Sequence, residues 1–460
     1  MDNDFGEKQQ QSYLSKTVRI SYLISGIHLH ETSRRVLNNR ERNRRALKKA
    51  QLKTEKIVWI GNSARHFMRR CKEVTSMRTR NRRVVVLSGG QWLDRLHGTS
   101  ALSPFKSLAS QSYRVEILSN SHTPRRLENG SFSILALESK KNVPLLTRIS
   151  LFKRFFEHLI KNKPDVLIFD YMNAPIFLLF RAFLKTKGIM LILSRPVGPG
   201  RLLHFPLFRL FLMLGKLFAD AFTAISPFEA REYSRLGGIP IDKITVIPST
   251  IGENFEKFIP PNNPTEVRLK LELNTLLNKK VAIYHGVLTE EKGVMKLVQV
   301  FSESFKNNDK VALLIVGDGP ARSTIENYVY RNGIKNIILL GRLPSSKVPE
   351  ALAASDLGII LHPDDPRWRY QCNIKMIELL FMGKPVLASD LPGLRWIGAN
   401  SPLVTYLRQS DPYSFKEELT KLISNLEEMA VDAIETRQNM IERFSSESVA
   451  LKLGHLIDSC

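Results

Sequence analysis

The sequence predicts an α/β protein with two doubly wound parallel sheets, one in each half of an ordered region that begins near residue 84. Three observations predict this class. Apolar segments of strand length alternate with segments of helical periodicity. The alternation stops at one proline-rich stretch and then resumes. A chain of 460 residues also exceeds the size of one comfortable hydrophobic core, so two sheet domains are expected.

The elements of the first half follow one another regularly. "RRVVVLSGG" is a buried strand that ends in a glycine pair, and "SPFKSLASQSYRVEILS" is a helix followed by a strand. The next segments continue the alternation and are "KPDVLIFDY", "APIFLLFRAFLKTKG", "IMLILSRP", "LFRLFLMLGKLFADAFTAIS" (a helix and then a strand) and "KITVIPST". Apolar strands joined through helices indicate parallel βαβ units, with both faces of the sheet covered.

The stretch "PSTIGENFEKFIPPNNPTEV" has four prolines and no periodicity, which predicts a linker. The second set of elements follows it and consists of "KVAIYHG", "GVMKLVQVFSESFKN", "VALLIVGDG", "ARSTIENYVYRNG", "NIILLG", "SKVPEALAAS", "LGIILHP", "NIKMIELLFMG" and "KPVLAS". The expected domains are a basic extension at 1–80, sheet domains at 81–255 and 256–430, and C-terminal helices at 431–460 that pack back on the first sheet domain. The carboxyl ends of two such sheets would face a cleft, where open α/β sheets bind ligands.

Composition limits the cellular context. Hydrophobic residues make up 43% of the chain, which fits a globular protein and excludes wholesale disorder. Cys71, Cys372 and Cys460 are odd in number and lack metal-type spacing, so we expect a reducing compartment and no structural zinc. Because the sequence shows neither a run of about 20 apolar residues nor a cleavable secretion signal, the expected location is cytoplasmic.

The net charge of +24 is concentrated at the start of the chain. Residues 1–83 contain 21 basic and 7 acidic residues, whereas residues 84–460 contain 47 and 37. The segment "ETSRRVLNNRERNRRALKKAQLKTEK" suits a helix but has too few apolar residues to bury a face. Three interpretations stay open: an arm for nucleic acid or an anionic membrane, a solvated or disordered extension, and a natural start near Met77 that leaves this segment outside the functional protein.

Candidate binding residues lie where strands of the second half end. Gly286, Gly317 and Gly319 each follow a strand, where glycine lets backbone N–H groups approach an anion. Lys292 comes just before a helix, where its ammonium group could meet a phosphate. Turn geometry would explain any one of these glycines, but their order and spacing together favour a phosphate site.

The helix signal within "YQCNIKMIELLFMGKPVLASD" carries a charge pair among apolar positions. Lys375 and Glu378 are three residues apart and therefore share a helical face, and Gly383 with Pro385 ends the helix. One interpretation is a solvated ion pair on an amphipathic helix. The other is a ligand that lies across both side chains.

From about residue 84 to 450 the chain resembles the GT-B glycosyltransferases of family 4, a retaining, nucleotide-sugar-dependent group with two Rossmann-like domains. The resemblance is carried by "YHGVLTEEKG", "LLIVGDGP", "NIILLGRLPSSKVPEALAASDLGIILHP" and "NIKMIELLFMGKPVLASD", in the family's order. In the first half, "DAFTAISPFEAREYSRLGGIPIDKITVIPST" resembles the end of the family's acceptor domain. The resemblance implies a hexosyltransferase that moves a hexose from a nucleotide sugar to an acceptor with retention of anomeric configuration.

The resemblance also implies roles for individual residues. Lys292 would contact the donor diphosphate, and Glu378 would hydrogen-bond the ribose of the nucleotide. Lys375 and five glycines would complete the donor site, and these glycines are Gly89, Gly90, Gly286, Gly317 and Gly319. The sequence has no Asp-rich metal motif, so we expect no metal and no cofactor apart from the nucleotide-sugar substrate.

Several positions depart from the family's pattern. Tyr370 stands eight residues before Glu378, where the first motif glutamate is expected, and Val287 stands where an arginine is common. Arg369 or Lys375 would then supply the missing cation. The histidine that many members offer near the sugar has no clear counterpart. The residues that follow the corresponding strand are Asp170, Tyr171 and Asn173. His97 is a further candidate, although an exposed or helix-capping role is its simpler interpretation.

The acceptor requires a separate argument, because a fold does not determine it. The stretch "GRLLHFPLFRLFLMLGKLF" mixes Leu and Phe with Arg201, Arg209 and Lys216, as an amphipathic helix in a headgroup layer does. An ordinary buried helix is the alternative. We expect a lipid-linked or glycan acceptor at the cytoplasmic face of an anionic membrane. The competing functions are a non-catalytic or epimerase-like protein of the same fold and a nucleic-acid-binding protein that acts through residues 1–80.

Overall fold

The computed structural model describes residues 81–92, 102–121, 125–138, 145–170, 174–194, 206–259, 263–306, 308–408 and 411–459. The elements are numbered along these ranges. The basic extension at 1–80 and the proposed start near Met77 lie outside them, as do His97, Tyr171 and Asn173. Asp170 is described only as the last residue of a strand.

Within the described residues the first sheet has eight strands. They are β1 Arg83–Trp92, β2 Arg114–Ser121, β3 Arg125–Asn129, β4 Phe132–Glu138, β5 Val166–Asp170, β6 Met190–Ser194, β7 Ala221–Ala224 and β8 Ile244–Val246. Their spatial order is β3-β4-β2-β1-β5-β6-β7-β8. All neighbouring pairs are parallel except β3 and β4.

The antiparallel pair β3–β4 is not part of the predicted alternation. The two strands are joined by a tight turn at Gly130, whose φ of 59° is left-handed. The preceding residue is Asn129, and an Asn-Gly pair between two strand-like runs is a hairpin signal. The hairpin places an antiparallel edge on an otherwise parallel sheet, which is common in large sheets.

The second sheet has six described strands, all parallel. They are β9 Lys280–His285, β10 Val311–Val316, β11 Ile337–Gly341, β12 Leu357–Ile360, β13 Val386–Ser389 and β14 Val404–Leu407, in the order β11-β10-β9-β12-β13-β14. Alternate residues of β9 enter different apolar clusters: Val281 and Ile283 pack on one face, and Ala282 and Tyr284 pack on the other. Both faces are therefore buried, as the near-continuous apolar strands predict.

Seventeen helices lie within the described ranges. They are α1 Ser103–Ser110, α2 Leu145–Asn162, α3 Ala174–Thr186, α4 Pro206–Lys216, α5 Pro227–Gly237, α6 Glu253–Glu256, α7 Pro264–Lys270, α8 Val294–Phe305, α9 Arg322–Arg331, α10 Val348–Ala353, α11 Pro366–Arg369, α12 Ile374–Phe381, α13 Pro392–Gly398, α14 Pro412–Ser424, α15 Leu426–Met429, α16 Ala433–Phe444 and α17 Ser446–Ser459. None of them combines the length and hydropathy needed to cross a bilayer.

The predicted linker contains more structure than its prolines indicate. The short helix α6 lies inside it, and α7 begins at Pro264 near its end. Asn263 caps α7 by accepting a hydrogen bond from the Thr265 amide, and proline is well tolerated in the first turn of a helix. Proline therefore marks the start of a helix here.

The last helix packs against the first sheet. Leu453, Leu456 and Ile457 of α17 are buried in one apolar cluster with residues of β1 and β2. The Tyr113 hydroxyl donates a 2.7 Å hydrogen bond to Asp458, and burial is the main reason that the pKa of this tyrosine is raised. The C-terminal helix thus becomes part of the core of the first sheet.

Candidate functional site

Two glycine loops touch at the carboxyl end of the second sheet. Gly286 follows β9 and Gly317 follows β10, and the Gly286 amide donates a 2.8 Å hydrogen bond to the Val316 carbonyl. Gly317 has a φ of 146°, and a Cβ atom at this position would collide with the Gly286 carbonyl. Only glycine permits this approach. Gly319 packs just as closely against the backbone of Leu288.

Gly89 and Gly90 lie in the other sheet. The sequence predicts that they end the first strand, and the structure includes both glycines in β1. The pairing of β1 with β2 changes register between Leu87 and Trp92. The glycine pair therefore lies in the irregular end of β1, because parallel pairing resumes after the break.

Helix α12 brings two charged side chains to the ends of these strands. Its first turn is capped by Asn373, whose side chain accepts from the Met376 amide, and Gly383 follows its end with a left-handed φ of 68°. The apolar positions of α12 are buried in the core of the second sheet, and they include Met376, Ile377, Leu379 and Leu380. Lys375 and Glu378 remain beside the end of β9.

Lys375 and Glu378 do not pair with each other. The Lys375 ammonium lies 4.1 Å from the centre of the Tyr284 ring and donates a 3.0 Å hydrogen bond to the Tyr284 hydroxyl. Glu378 Oε2 lies 2.8 Å from His285 Nε2. The interpretation of a solvated ion pair within the helix is therefore not what the structure shows, because each charge has its own partner on β9.

The second cation, Lys292, closes a single 3₁₀ turn at Glu290–Lys292. Its ammonium lies 6.0 Å from the centre of the Trp368 ring, and burial lowers its pKa although Glu291 opposes this shift. Glu291 itself forms a 3.3 Å ion pair with Arg367. Lys292 thus has an aromatic face beside it and, within the described ranges, no carboxylate oxygen within 4.0 Å.

Lys375 is the more strongly perturbed of the two lysines. Burial first, and then the positive charge of Lys292, lower its pKa to about 7, against a smaller opposing effect of Glu378. Its side chain also lies directly against Gly286, so that a Cβ on this glycine would overlap the lysine. An incoming anion would stabilise the charged form of Lys375.

The neutral side chain of His362 packs beside the two lysines, against Trp368 and Asn373. His362 stacks on Trp368 at 5.2 Å between ring centres and accepts a 2.8 Å hydrogen bond from the Asn373 amide group. Burial, aided by the charge of Lys375, lowers its pKa to about 3. His362 therefore adds packing and orientation to the site without a further positive charge.

Two residues just before α12, Tyr370 and Arg369, were noted where the sequence departs from the family's pattern. Tyr370 stacks on Phe228 of α5 at 5.9 Å, and its carbonyl accepts a 2.7 Å hydrogen bond from Ser226, so this position contacts the first half of the chain. Arg369 forms a two-bond ion pair with Asp364. Of the two predicted replacement cations, Lys375 is thus the one without a carboxylate partner in the described chain.

Sequence patterning did not single out Tyr284, His285, His362 or Trp368. The signal for the first two was the "YHG" that ends a buried strand, since polar groups at the carboxyl end of a parallel strand face ligand sites. His362 comes two residues after β12, and Trp368 lies in the next helix, α11. No group of three His, Cys, Asp or Glu side chains that could hold a metal ion occurs in the part of the chain that the structure describes.

The arrangement combines two kinds of recognition. Two lysines and glycine-rich backbone suit a diphosphate, because ammonium groups and N–H donors stabilise oxyanions. One carboxylate, fixed on one oxygen, suits the hydroxyl groups of a sugar ring. A nucleotide with a diphosphate presents both chemistries next to each other.

Comparisons with known proteins bear on the fold and on the class of enzyme. Residues 279–425 match the sequence profile of the family described as "Glycosyl transferases group 1". A provisionally named teichuronic acid biosynthesis glycosyltransferase of Bacillus subtilis (strain 168), TuaC, is 29% identical over 176 residues, which cover 38% of this chain and 40% of TuaC. The capsular polysaccharide biosynthesis glycosyltransferase CapM of Staphylococcus aureus is 22% identical over 318 residues, which cover 67% of this chain and 80% of CapM.

A solved structure extends the likeness to both sheets. Anabaena Alr3699/HepE in complex with UDP and glucose superimposes with a TM-score of 0.63, although only 14% of residues are identical. The likeness covers 82% of this chain and all of that protein. It confirms the predicted fold of two parallel-sheet domains, and the curated relatives support the predicted enzyme class. Residues 279–425 of this chain are therefore similar to the group 1 glycosyl transferases, and the two sheets have the GT-B fold.

Proposed function

We propose that this protein is a retaining hexosyltransferase of family 4 that takes its sugar from a nucleotide-sugar donor. The observation that carries the proposal is the pair of lysines, Lys292 and Lys375, beside the glycine loops of the second sheet. Neither has a carboxylate partner among the described residues, and burial lowers the pKa of both. A donor diphosphate would supply the missing negative charge.

The proposed reaction exchanges one bond at the anomeric carbon. The bond from this carbon to the donor phosphate breaks, and a bond to the acceptor oxygen forms on the same face of the sugar. The acceptor proton moves to an oxygen of the departing diphosphate, so the protein does not need a dedicated carboxylate base. Lys292 and Lys375 would stabilise the charge that develops on the leaving group, for which we expect no metal.

What is known of the related proteins supports this donor and this kind of acceptor. Alr3699/HepE has been crystallised with UDP and glucose, and also with UDP-glucose. CapM is named for capsular polysaccharide biosynthesis, and TuaC for teichuronic acid biosynthesis. By analogy, a growing glycan or a lipid-linked sugar is the proposed acceptor. The epimerase-like and nucleic-acid-binding alternatives are not favoured by any of these relatives.

Thermal unfolding with nucleotide sugars tests the donor. UDP-, GDP- and ADP-glucose are each added at millimolar concentration, and a ligand that binds only the folded protein raises Tm by mass action. We expect one base to raise Tm in the wild type and to raise it much less in Lys292→Met. The absence of any shift with all three, and with the corresponding diphosphates, would contradict the proposal.

A transfer assay tests the reaction. We expect free nucleoside diphosphate to appear faster when an acceptor glycan or lipid-linked sugar is added than with donor alone. Proton NMR of the product should show the anomeric configuration of the donor. Inverted product would contradict retention, and release that is indifferent to every acceptor would favour a different reaction.

A second proposal concerns the place where the acceptor is met. Helix α4 exposes one apolar row, in which Leu210 is 46%, Met213 is 48% and Leu217, just beyond the helix, is 54% exposed. Exposed Arg209 and Lys216 flank this row. Basic and apolar groups together suit the headgroup layer of an anionic membrane. We propose that this surface rests on the cytoplasmic face of such a membrane.

Vesicle co-sedimentation tests this surface. The full chain should pellet with vesicles of phosphatidylcholine containing about one third phosphatidylglycerol at low salt, and less so at high salt. Leu210→Glu with Met213→Glu should release the protein, whereas Val431→Glu, at a position 71% exposed elsewhere, should not. Equal pelleting of both variants, or none of the wild type, would contradict the proposal.

A further inference from the structure

Two consecutive residues at the end of β9 hold the two charged side chains of α12. Tyr284 accepts a hydrogen bond from Lys375 at 3.0 Å, and His285 lies 2.8 Å from the Glu378 carboxylate. His285 is only 6% exposed, and Glu378 is also largely enclosed. The strand thus separates two opposite charges that share one helical face.

The hydrogen bond fixes which atom carries the proton. An ionised carboxylate can only accept, so His285 must donate from Nε2 to Glu378 Oε2. Among the described residues, Glu378 Oε1 has no hydrogen-bond donor. One oxygen of the carboxylate is therefore anchored, and the other remains able to accept from a hydroxyl group.

Without this anchor the carboxylate would have a competing partner. Lys375 lies three residues earlier on the same helix, a spacing at which opposite charges commonly pair. Such a pair would neutralise Lys375 and turn Glu378 away from the end of β9. The histidine thus keeps the cation free for an anion and the carboxylate free for hydroxyl groups.

We propose that His285 is a positioning residue that holds Glu378 for the ribose of the donor and so makes the site select ribonucleotides over 2′-deoxyribonucleotides. This inference rests on the proposed function, since it requires a nucleoside diphosphate in the site. The chemistry that would be recognised is a hydroxyl group of the ribose ring. His285 itself need not touch the donor.

Calorimetric titration with matched nucleotides tests this role. The probes are UDP and dUDP, together with GDP and dGDP, because the base is not assigned. A hydrogen bond to a charged group corresponds to about tenfold or more in affinity, so the wild type should prefer the ribose form by at least about tenfold. His285→Phe keeps a ring but has no donor, and it should reduce this ratio to near one.

Two further variants separate positioning from general damage. His285→Gln retains an N–H donor and should recover most of the preference for ribose. Tyr284→Phe removes the hydroxyl that Lys375 uses and leaves His285 in place, so it should alter the affinity for UDP and dUDP by the same factor. Thermal unfolding of each variant checks that it is folded at the titration temperature.

The outcomes are distinct. A collapsed ratio in His285→Phe that His285→Gln restores supports the inference. An unchanged ratio in His285→Phe, or an equal loss for both sugars, would overturn it while the proposed function stands. Failure of the wild type to bind any of the four diphosphates would overturn the proposed function and this inference together.

Discussion

The two ends of the second sheet both contain buried or half-buried cations, but these cations differ in their partners. At the amino end, where β9, β12 and β13 begin, Arg268 is 3% exposed and donates to the Ala354, Leu276 and Lys279 carbonyls and to Asp356. Lys384 donates there to the Ser355 and Ala353 carbonyls. At the carboxyl end, the partner of the Lys292 ammonium is the Trp368 ring, and the partners of the Lys375 ammonium are the ring and the hydroxyl group of Tyr284.

This difference in partners distinguishes cations that stabilise the fold from cations that we propose bind a ligand. A buried cation is tolerated when protein oxygens replace its water, as they do for Arg268. Asp356 also accepts from the Val281 amide at 2.6 Å, so the pair joins α7, β9 and the start of β12. Lys375 has only the Tyr284 hydroxyl oxygen in this role, and its burial lowers its pKa. One end of the sheet stabilises the fold, and the other is the end that we propose binds an anion.

The largest expected effect is at the amino end. Arg268→Met leaves Asp356 without its cation and removes one donor from each of three carbonyls, which should lower the free energy of unfolding by about 3–5 kcal/mol. Chemical denaturation measures this loss. The control is Arg235→Met, because Arg235 forms an exposed pair with Glu232 and its removal should change stability far less than the removal of Arg268 does. Equal losses of stability in Arg268→Met and Arg235→Met would contradict the view that the buried ion pair stabilises the fold more than the exposed one.

The next effect belongs to the carboxyl end. Lys375→Met should weaken nucleoside diphosphate binding by about tenfold to a hundredfold, because a charge-assisted hydrogen bond to phosphate is lost. Its Tm should stay the same or rise, since burying this ammonium is costly. Lys384→Met is the matched control, with a buried lysine removed from the other end of the sheet and affinity retained. Loss of affinity in the control alone would reverse the assignment of the two ends.

The pH dependence of binding should be about tenfold per pH unit at most. With a pKa of about 7 in the empty site, Lys375 is mostly neutral at pH 8 and must take up a proton when a diphosphate binds. Affinity should therefore fall as the pH rises from 7 to 9, where the phosphates are already ionised. Calorimetry in buffers of different ionisation enthalpy should show proton uptake. In Lys375→Met this part of the pH dependence should vanish.

Lys375 should also make the stability of the protein depend on pH, with stability rising over the pH range in which diphosphate affinity falls. Its pKa is lower in the folded protein than in the unfolded chain, so the unfolded chain holds the proton at higher pH. The contribution of Lys375 to the free energy of unfolding should thus rise between pH 7 and pH 10. The comparison with Lys375→Met isolates it from Lys384, whose pKa burial lowers to about 8. A difference that falls with pH would contradict the assigned burial of Lys375.

The smallest expected effect is on stability at Lys384. Lys384→Met leaves the Ser355 and Ala353 carbonyls without a donor near the end of α10, which should cost about 1 kcal/mol. Urea denaturation at pH 7 can resolve such a change. An increase in stability would mean that the burial of this ammonium outweighs its two hydrogen bonds.

Much of the fold was predictable from local patterning. The buried strands β9 and β10 are short apolar runs that end in glycine, and α12 ends where Gly383 predicts it to end. The hairpin β3–β4 was not predicted, although Asn129-Gly130 marks its turn. In the supposed linker, Pro264 was interpreted as a break, whereas it begins α7. Single prolines and glycines have several structural meanings, and the tertiary environment decides among them.

The candidate site was predictable only in part. Spacing along one helix placed Lys375 and Glu378 on the same face, and the structure retains this feature. Spacing could not show that Tyr284 and His285 take one charge each, because that depends on how β9 and α12 pack. For the same reason, the spacing of Lys375 and Lys384, one at each end of the same apolar helix, could not show which of them has protein carbonyls as partners. Their oxygen partners come from distant parts of the chain.

The most direct test of the central claim is a crystal structure of the full chain soaked with the diphosphate that raises Tm most. The claim is that the carboxyl end of the second sheet is a diphosphate site made by Lys292, Lys375 and the glycine loops. The predicted result is a phosphate oxygen within hydrogen-bond distance of both lysine ammonium groups, with the ribose toward Glu378. A diphosphate bound elsewhere, with both lysines turned away from it, would contradict the claim.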